Sequence, residues 1–332
     1  MRLIILNQFF HPDHSATSQL MTDLAESLVA DGAEVTALAG RGRYNGGGGL
    51  RKREEYRGVR VERAWSTGFG KGSVAGRLTD YLSFYLGAAL KLFSLPRHNV
   101  VMALTTPPLI GLLALAACRV RGMRFVALVQ DVYPDVGVAL GTFRRGGFVT
   151  GLLDRLNRLV LGSAERVIVL GDCMREVVAS KGVAGERIDV IHNWADGEKI
   201  FPLADGEENP FAAGQALAGL SVPSKTYGVL AAGRPLLFVG DARSDAARLV
   251  SENGCGAVVV SGASGELARV VESWASDPAL VGEMGRAARR LFERRFDRPH
   301  AVTAYRESLK RCLSGARRLR PGGRVRPVKQ GN

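Results

Sequence analysis

Short apolar runs alternate with amphipathic stretches along the chain, and their order predicts the architecture. Arg2-Leu-Ile-Ile-Leu-Asn7 is an uninterrupted apolar run ending in a polar loop, the pattern of a strand buried on both faces. A helix follows from about Ala16 to Ala30, stopped by Asp31-Gly32, and Glu34 to Ala39 is the next strand. A strand, loop, helix and strand in this order demand a right-handed crossover and a parallel sheet. The pattern continues with strands at Val59 to Ala64, Val100 to Thr105, Phe125 to Gln130, Arg166 to Leu170 and Ile188 to His192. Between them lie helices at Leu78 to Leu95, Leu109 to Val120, Phe148 to Leu161 and Cys173 to Ser180. Gly42 to Arg57, glycine-rich and charged, reads as a mobile surface loop. Residues 1–198 thus form one complete doubly wound α/β domain of seven strands.

The remainder is thinner. Residues 199–218 read as a linker of Pro, Gly, Asp, Glu and Ala. Residues 219–313 contain helices at Ser224 to Ala232, Ser244 to Asn253, Gly265 to Ser276, Pro278 to Arg295 and Pro299 to Leu313. The same stretch offers only two strands, Pro235 to Val239 and Gly256 to Val260. A doubly wound domain has about six strands, and an isolated pair is marginal in water. Either other parts of the chain or a partner complete this sheet, or half a domain is lost.

Composition narrows the class. With 46% hydrophobic and 23% charged residues in 332, the chain is globular. The four cysteines are scattered without a CxxC, which excludes a disulfide framework or a structural zinc site and fits a reducing cytoplasm. Met1-Arg2 followed by Leu3 to Leu6 is too short for a signal core, and no 18-residue apolar run is present. The net charge of +13 is concentrated at the end: Arg317, Arg318, Arg320, Arg324, Arg326 and Lys329 lie in a polar tail, 314–332, that has no acidic residue. Such a tail is either simply solvated or an anchor for an anionic membrane surface. Nucleic acid is disfavoured as a partner, because no aromatic residue interleaves with these charges.

There is no GxGxxG after the first strand, no GxxxxGK[ST], no HExxH and no GxSxG. The candidate chemistry lies in loops at the carboxyl ends of predicted strands, where open parallel sheets bind ligands. These are His11-Pro-Asp-His14, Thr105-Thr-Pro-Pro108, Asp131-Val-Tyr-Pro-Asp135 and Asn193-Trp-Ala-Asp196. In the second part, Val222-Pro-Ser-Lys-Thr-Tyr227 opens a helix that ends Ala231-Ala-Gly-Arg-Pro235.

Together with Asn7-Gln-Phe-Phe-His-Pro-Asp13, Gln130-Asp-Val-Tyr-Pro-Asp135 and Val190-Ile-His-Asn-Trp194, these motifs resemble, in order and spacing, a family 4 glycosyltransferase of the GT-B fold. The likeness is to the WbuB-like subgroup concerned with colanic acid, capsule and O-antigen sugars, and it covers residues 1 to about 211 and about 219 to 313. It implies an amino-terminal Rossmann-like domain that receives the acceptor and a carboxy-terminal one that binds the donor. The implied reaction is retaining transfer of a sugar from a nucleoside diphosphate sugar (NDP-sugar) to a polyprenyl-diphosphate-linked or saccharide acceptor, at the inner face of the cytoplasmic membrane. It implies no cofactor and no metal. The chain departs from the family between Phe211 and Leu220, where several strands and helices of the donor domain are missing; the carboxy-terminal domain is therefore expected to be incomplete. That deficit keeps open a degenerate, inactive acceptor- or membrane-binding protein, or another GT-B reaction such as NDP-sugar 2-epimerisation.

The resemblance assigns the acceptor to His11, Asp13, His14, Thr105 and Thr106, and the donor to Asn193, Ser224, Lys225, Tyr227 and Arg234, with Asp131 and Lys225 catalytic. Ser224 suits a helix N-cap whose exposed N–H groups bind anions, and Lys225 beside it either neutralises a departing diphosphate or is merely solvated. Asp131 either orients a hydroxyl or caps a turn. His11 and His14 either approach phosphate or are surface residues, and Asn193 is a nucleotide contact or a turn residue. His98, His192 and His300 read as structural. The helix Leu78 to Leu95 is either core or an interfacial helix laying Tyr81, Phe84, Tyr85 and Phe93 among lipid headgroups.

Overall fold

A computed structural model describes residues 1–43, 49–69, 74–202 and 224–315. The expected Phe211–Leu220 deletion and the basic tail from residue 316 lie outside the described residues, as does the linker beyond Pro202. The chain divides into two compact units, each described by itself: Met1–Val169 with Met174–Asp189 and the chain from Arg306, and Leu170–Cys173 with Val190–Tyr305.

The first unit is built on one sheet. In chain order its elements are β1 (Arg2–Leu6), α1 (Ala16–Ala30), β2 (Glu34–Gly40), β3 (Arg53–Tyr56), β4 (Val59–Ala64), α2 (Val74–Ser94), β5 (Val100–Ala103), α3 (Ile110–Arg121), β6 (Arg124–Leu128), α4 (Asp135–Ala139), α5 (Phe148–Ser163), β7 (Arg166–Val169), α6 (Asp172–Ser180) and β8 (Ile188–Val190). The strand order is β3-β4-β2-β1-β5-β6-β7-β8. Leu3, Ile4, Ile5 and Leu6 are all fully buried, because β1 lies between β2 and β5 with helices over both faces. The strands end earlier than the apolar runs, at Ala103, Leu128 and Val169, which lengthens the loops at their carboxyl ends.

One expectation fails. Arg53–Tyr56, placed by sequence in a mobile loop, forms β3, an edge strand antiparallel to β4. Its residues have no apolar alternation, and cross-strand ion pairs take the place of apolar contact. Arg53 pairs with Glu62 at 2.8 Å and Glu54 with the fully buried Arg63 at 2.6 Å, while Lys91 of α2 reaches Glu62 from the other side at 2.5 Å. On α2, a Cβ added to Gly87 would stand 2.4 Å from the Trp65 carbonyl oxygen, so glycine is what lets this helix lie against the chain leaving β4.

The second unit comprises α7 (Ser224–Ala231), β9 (Leu236–Val239), α8 (Asp245–Glu252), β10 (Gly256–Val259), α9 (Ser264–Ser276), α10 (Pro278–Arg295) and the first turns of α11 (Arg298–Ser314). Strands β9 and β10 form a parallel pair. The core lies around α7 and α10, where Tyr227, Leu230 and Ala231 meet Ala288, Leu291, Phe292 and Phe296. From Arg306 onward α11 belongs to the first unit, with Arg306 paired to Asp31, and Arg311 and Ser308 bound to Asp189.

The buried guanidinium of Arg63 makes β3 testable. Glu54→Leu leaves that charge with only carbonyl oxygens for partners and should cost about 1–3 kcal/mol of first-unit stability. Urea denaturation followed by circular dichroism measures this, and an unchanged midpoint would show that the pair does not hold β3.

Candidate functional site

Strands β1, β5 and β6 are neighbours, so the loops leaving their carboxyl ends stand side by side, and short hydrogen bonds join them. The Gln8 amide donates to the Thr106 carbonyl at 3.2 Å, tying the first loop to the second. The Thr105 Oγ1 accepts from the amides of Gln130 and Asp131 at 3.1 and 3.2 Å, tying the second to the third. Each loop contains one cis prolyl bond, at His11-Pro12, Thr106-Pro107 and Tyr133-Pro134. From α2 the Tyr85 hydroxyl donates to the Pro108 carbonyl and anchors the second loop from outside the sheet.

Asp131 sits at the end of this row. Burial alone pushes its carboxyl pKa above the ordinary value of 3.8, and Tyr133, desolvated and close to Asp131, is raised as well. A desolvated carboxylate at a strand's carboxyl end can accept a hydrogen bond or a proton from a substrate hydroxyl. Two further polar atoms accompany it. Among the described residues, Asn7 Oδ1 and Gln130 Nε2 are buried without a hydrogen-bond partner. Sequence reasoning quoted both residues and assigned neither; the available signal was their position as the polar residues that close the apolar runs of β1 and β6.

The other first-unit candidates are placed differently. Thr105 and Thr106 join the loops directly. His11 turns toward β3, stacked on Tyr56 with ring centroids 3.5 Å apart. Its carbonyl accepts from Arg63, and burial lowers the pKa of its ring. The buried Asp13 accepts from the Ser15 amide at 2.8 Å and so shapes the entry to α1, and His14 is exposed. Beyond Asp131, a cavity of about 590 Å³ opens between α4 and α5, with Asp135, Val138, Phe143, Arg145 and Asp154 in its wall. Lys181 lies behind it, 2.7 Å from Asp135 and 2.6 Å from Asp154.

In the second unit, Asn193 is buried, and its Oδ1 has no partner among the described residues. The His192 Nδ1 lies 2.8 Å from the Leu170 carbonyl, its ring stands edge-on to Phe296, and burial lowers its pKa. Tyr227 packs in the core against Phe296, where desolvation raises its phenol pKa. Arg234 is exposed beyond the end of α7. Ser224 and Lys225 form the first turn of α7, and their side chains fall outside the described residues. No group of three His, Cys, Asp or Glu side chains among the described residues is arranged to hold a metal ion.

Because the Asp131 carboxyl is raised, its ionised form opposes folding at neutral pH. The penalty is absent at pH values below 3.8, grows as the unfolded chain ionises first, and is constant above the folded value. Asp131→Asn should therefore equal the wild type in stability in acid and exceed it at pH 7, a divergence measurable by urea titration at several pH values. Thr105→Val removes the acceptor of two amides and should lower stability by about 1–3 kcal/mol, with Thr105→Ser restoring most of it.

The comparisons with known proteins bear on the family and the fold. Residues 16–194 match the family model described as glycosyl transferase 4-like domain. Over 124 residues the chain is 31% identical to WbjE, a probable glycosyltransferase of Pseudomonas aeruginosa; the match covers 37% of this chain and 31% of that protein, so the chain spans about a third of its curated relative. In fold it is similar to sucrose-phosphate synthase from Thermosynechococcus elongatus, with a TM-score of 0.67 at 10% identity over 95% of this chain and 99% of the other. It is similar as well to HepE of Anabaena in complex with UDP, with a TM-score of 0.61 at 13% identity, covering 93% of this chain and 100% of that one. WaaG, a glycosyltransferase involved in lipopolysaccharide biosynthesis, gives 0.63 at 11% identity over 95% of this chain and 100% of its own. These neighbours share the GT-B architecture of an α/β chain with a large parallel sheet. With more than half of its length matched by the family model, the chain belongs to the glycosyl transferase 4-like family.

Proposed function

We propose that the protein is a retaining glycosyltransferase of the WbuB-like subgroup, moving a sugar from an NDP-sugar to a lipid-linked or saccharide acceptor in cell-envelope polysaccharide synthesis. The observation that carries the reading is the row of three joined loops at the carboxyl edge of the sheet, ending in the desolvated Asp131, with the second and third loops inside the family match. HepE has been solved with UDP and with UDP-glucose, which supports a nucleotide-sugar donor.

In this reading residues 1–198 receive the acceptor, with His11, Asp13, His14, Thr105 and Thr106 bordering it and Asp131 accepting the hydrogen bond of its hydroxyl. The sugar's C1–O bond to phosphate breaks as a new C1–O bond to the acceptor forms on the same face. The diphosphate leaves with the electron pair, and the hydroxyl proton passes to its departing oxygen. Residues 219–313 hold the donor through Asn193 before them and Ser224, Lys225, Tyr227 and Arg234 within them, with 199–218 as the connection. Lys225, Arg234 and the amide dipoles at the start of α7 would offset the charge of the leaving group. The protein would work at the inner face of the cytoplasmic membrane; no helix among the described residues is long and apolar enough to cross it.

A second reading has its own observation. The described part of the second unit contains only the pair β9–β10, with Val239 and the following Val260 exposed. This favours an internal deletion across Phe211–Leu220 and a degenerate protein that keeps the acceptor unit without holding a nucleotide.

Incubation with bacterial membranes and labelled UDP-, GDP- and dTDP-sugars separates the two. Transfer of label to lipid by the wild type, reduced about 100-fold or more in Asp131→Asn and Lys225→Ala, is expected. Absence of lipid label with every donor, together with no nucleotide binding by calorimetry, would establish the degenerate protein instead.

A further inference from the structure

Among the described residues, 20 large apolar side chains are exposed, and half of them lie on three consecutive helices of one layer. Helices α2, α3 and α5 pack in that order on the sheet, α2 against α3 and α3 against α5. Along α2, Leu78, Leu82, Leu86 and Leu90 are 55%, 68%, 59% and 67% exposed, with Phe93 continuing the row. Val120 is exposed at the end of α3, and Phe148, Val149, Leu152 and Leu159 along α5, Phe148 at 86%. Two of the four aromatics that sequence singled out on α2 do something else: Phe84 is fully buried and Tyr85 is bound to Pro108.

From this layer we infer that the outer faces of α2, α3 and α5 dock the protein onto an anionic phospholipid bilayer. Charge selects that occupant. The exposed arginines around the face are Arg97, Arg144, Arg145 and Arg155, with Arg158 paired to Asp154. The acids of the layer are already engaged, Asp80 by Thr67 and the Phe69 amide, and Asp154 by Arg158 and Lys181. Arg144 and Arg145 are separated by only Gly146 and Gly147 from the most exposed aromatic, Phe148, so cations meet headgroups where the ring enters the interface.

The geometry of the row points the same way. Positions four apart on a helix advance by about 40°, so Leu78 to Leu90 sweep about 120° of the surface. A broad apolar arc suits a soft interface, whereas a partner helix of a second copy would call for a narrow seam of 3.5-residue spacing. The cavity between α4 and α5 is walled by Arg145 and by Gly151 of α5, so a lipid-linked acceptor lying in the same bilayer would present its polar head there. The inference rests on the lipid-linked acceptor reading for its purpose and on the helix layer for its substance.

Flotation of the full chain with vesicles of phosphatidylcholine and phosphatidylglycerol, free of any glycolipid, tests it without an activity assay. At about 1 M salt, where the Debye length is ~3 Å, the charged tail contributes little and the apolar contact persists. The triple variant L82E/L86E/L90E should bind these vesicles at least about tenfold more weakly than the wild type. The milder L82S/L86S should fall between them with an unchanged urea midpoint, and Val271→Glu on α9 should bind as the wild type does. Wild-type binding by both α2 variants would overturn the inference. So would a wild-type dimer in sedimentation that the triple variant converts to monomer with vesicle binding intact, which would assign the face to a second copy. Failure of label transfer in the membrane assay bears on the transferase reading alone and leaves the vesicle result standing.

Discussion

The hydrogen bonds of β1 to β2 on one side and β5 on the other set the rest of the first unit. Leu3 lies level with Val35 and Val100, and Leu6 with Leu38 and Ala103, so one register fixes where three strands end. Parallel strands in register all point their carboxyl ends the same way, and both faces of such a sheet must be covered by the crossover helices. The two consequences are inseparable. The loops gather at one edge, where amides and side-chain oxygens are available for a ligand, and the helices form layers whose outer faces are free to acquire another purpose.

The same constraint bears on the described part of the second unit. A parallel pair has two unpaired edges and cannot bury four strand faces with its own side chains. In β9 only Leu236 is buried, and α9 contributes no buried residue. Cohesion passes to helix packing instead, where Tyr227, Phe292 and Phe296 fill the space between α7 and α10. Close approach takes the place of strand pairing there: a Cβ at Gly285 of α10 would stand 2.3 Å from the Gly233 carbonyl oxygen after α7. A unit held this way can keep the fold of its helices while its sheet is small.

Periodicity revealed most of this because buried parallel strands leave uninterrupted apolar runs and their helices are amphipathic. It missed β3, since a strand held by Arg53–Glu62 and Glu54–Arg63 has the composition of a loop and declares itself only when its partners are placed opposite. On α2 it left core and interface open, because periodicity does not say which arc of a largely apolar helix faces the sheet; Phe84 turned inward, while Phe93 and four leucines faced outward. At the site, the loops and Asp131 were legible from strand ends. Asn7 and Gln130 were not, because an unsatisfied amide group is a property of surroundings, not of residue type.

Two aspartates of the first unit differ in their surroundings in a way that sequence does not show. Asp189 at β8 accepts from Arg166 at 2.8 Å, from Ser308 at 2.6 Å and from Arg311 at 2.9 Å, which ties the last helix to the sheet. A carboxylate so surrounded is committed, and a substrate would have to displace its donors. Asp131 stands beyond the end of β6, and burial is what shifts it. Folding gains nothing from ionising such a group, and a helix-capping role would have supplied amide donors to stabilise the charge. The carboxylate is instead held by its backbone, through Thr105, in a position whose electrostatic deficit a bound hydroxyl could relieve.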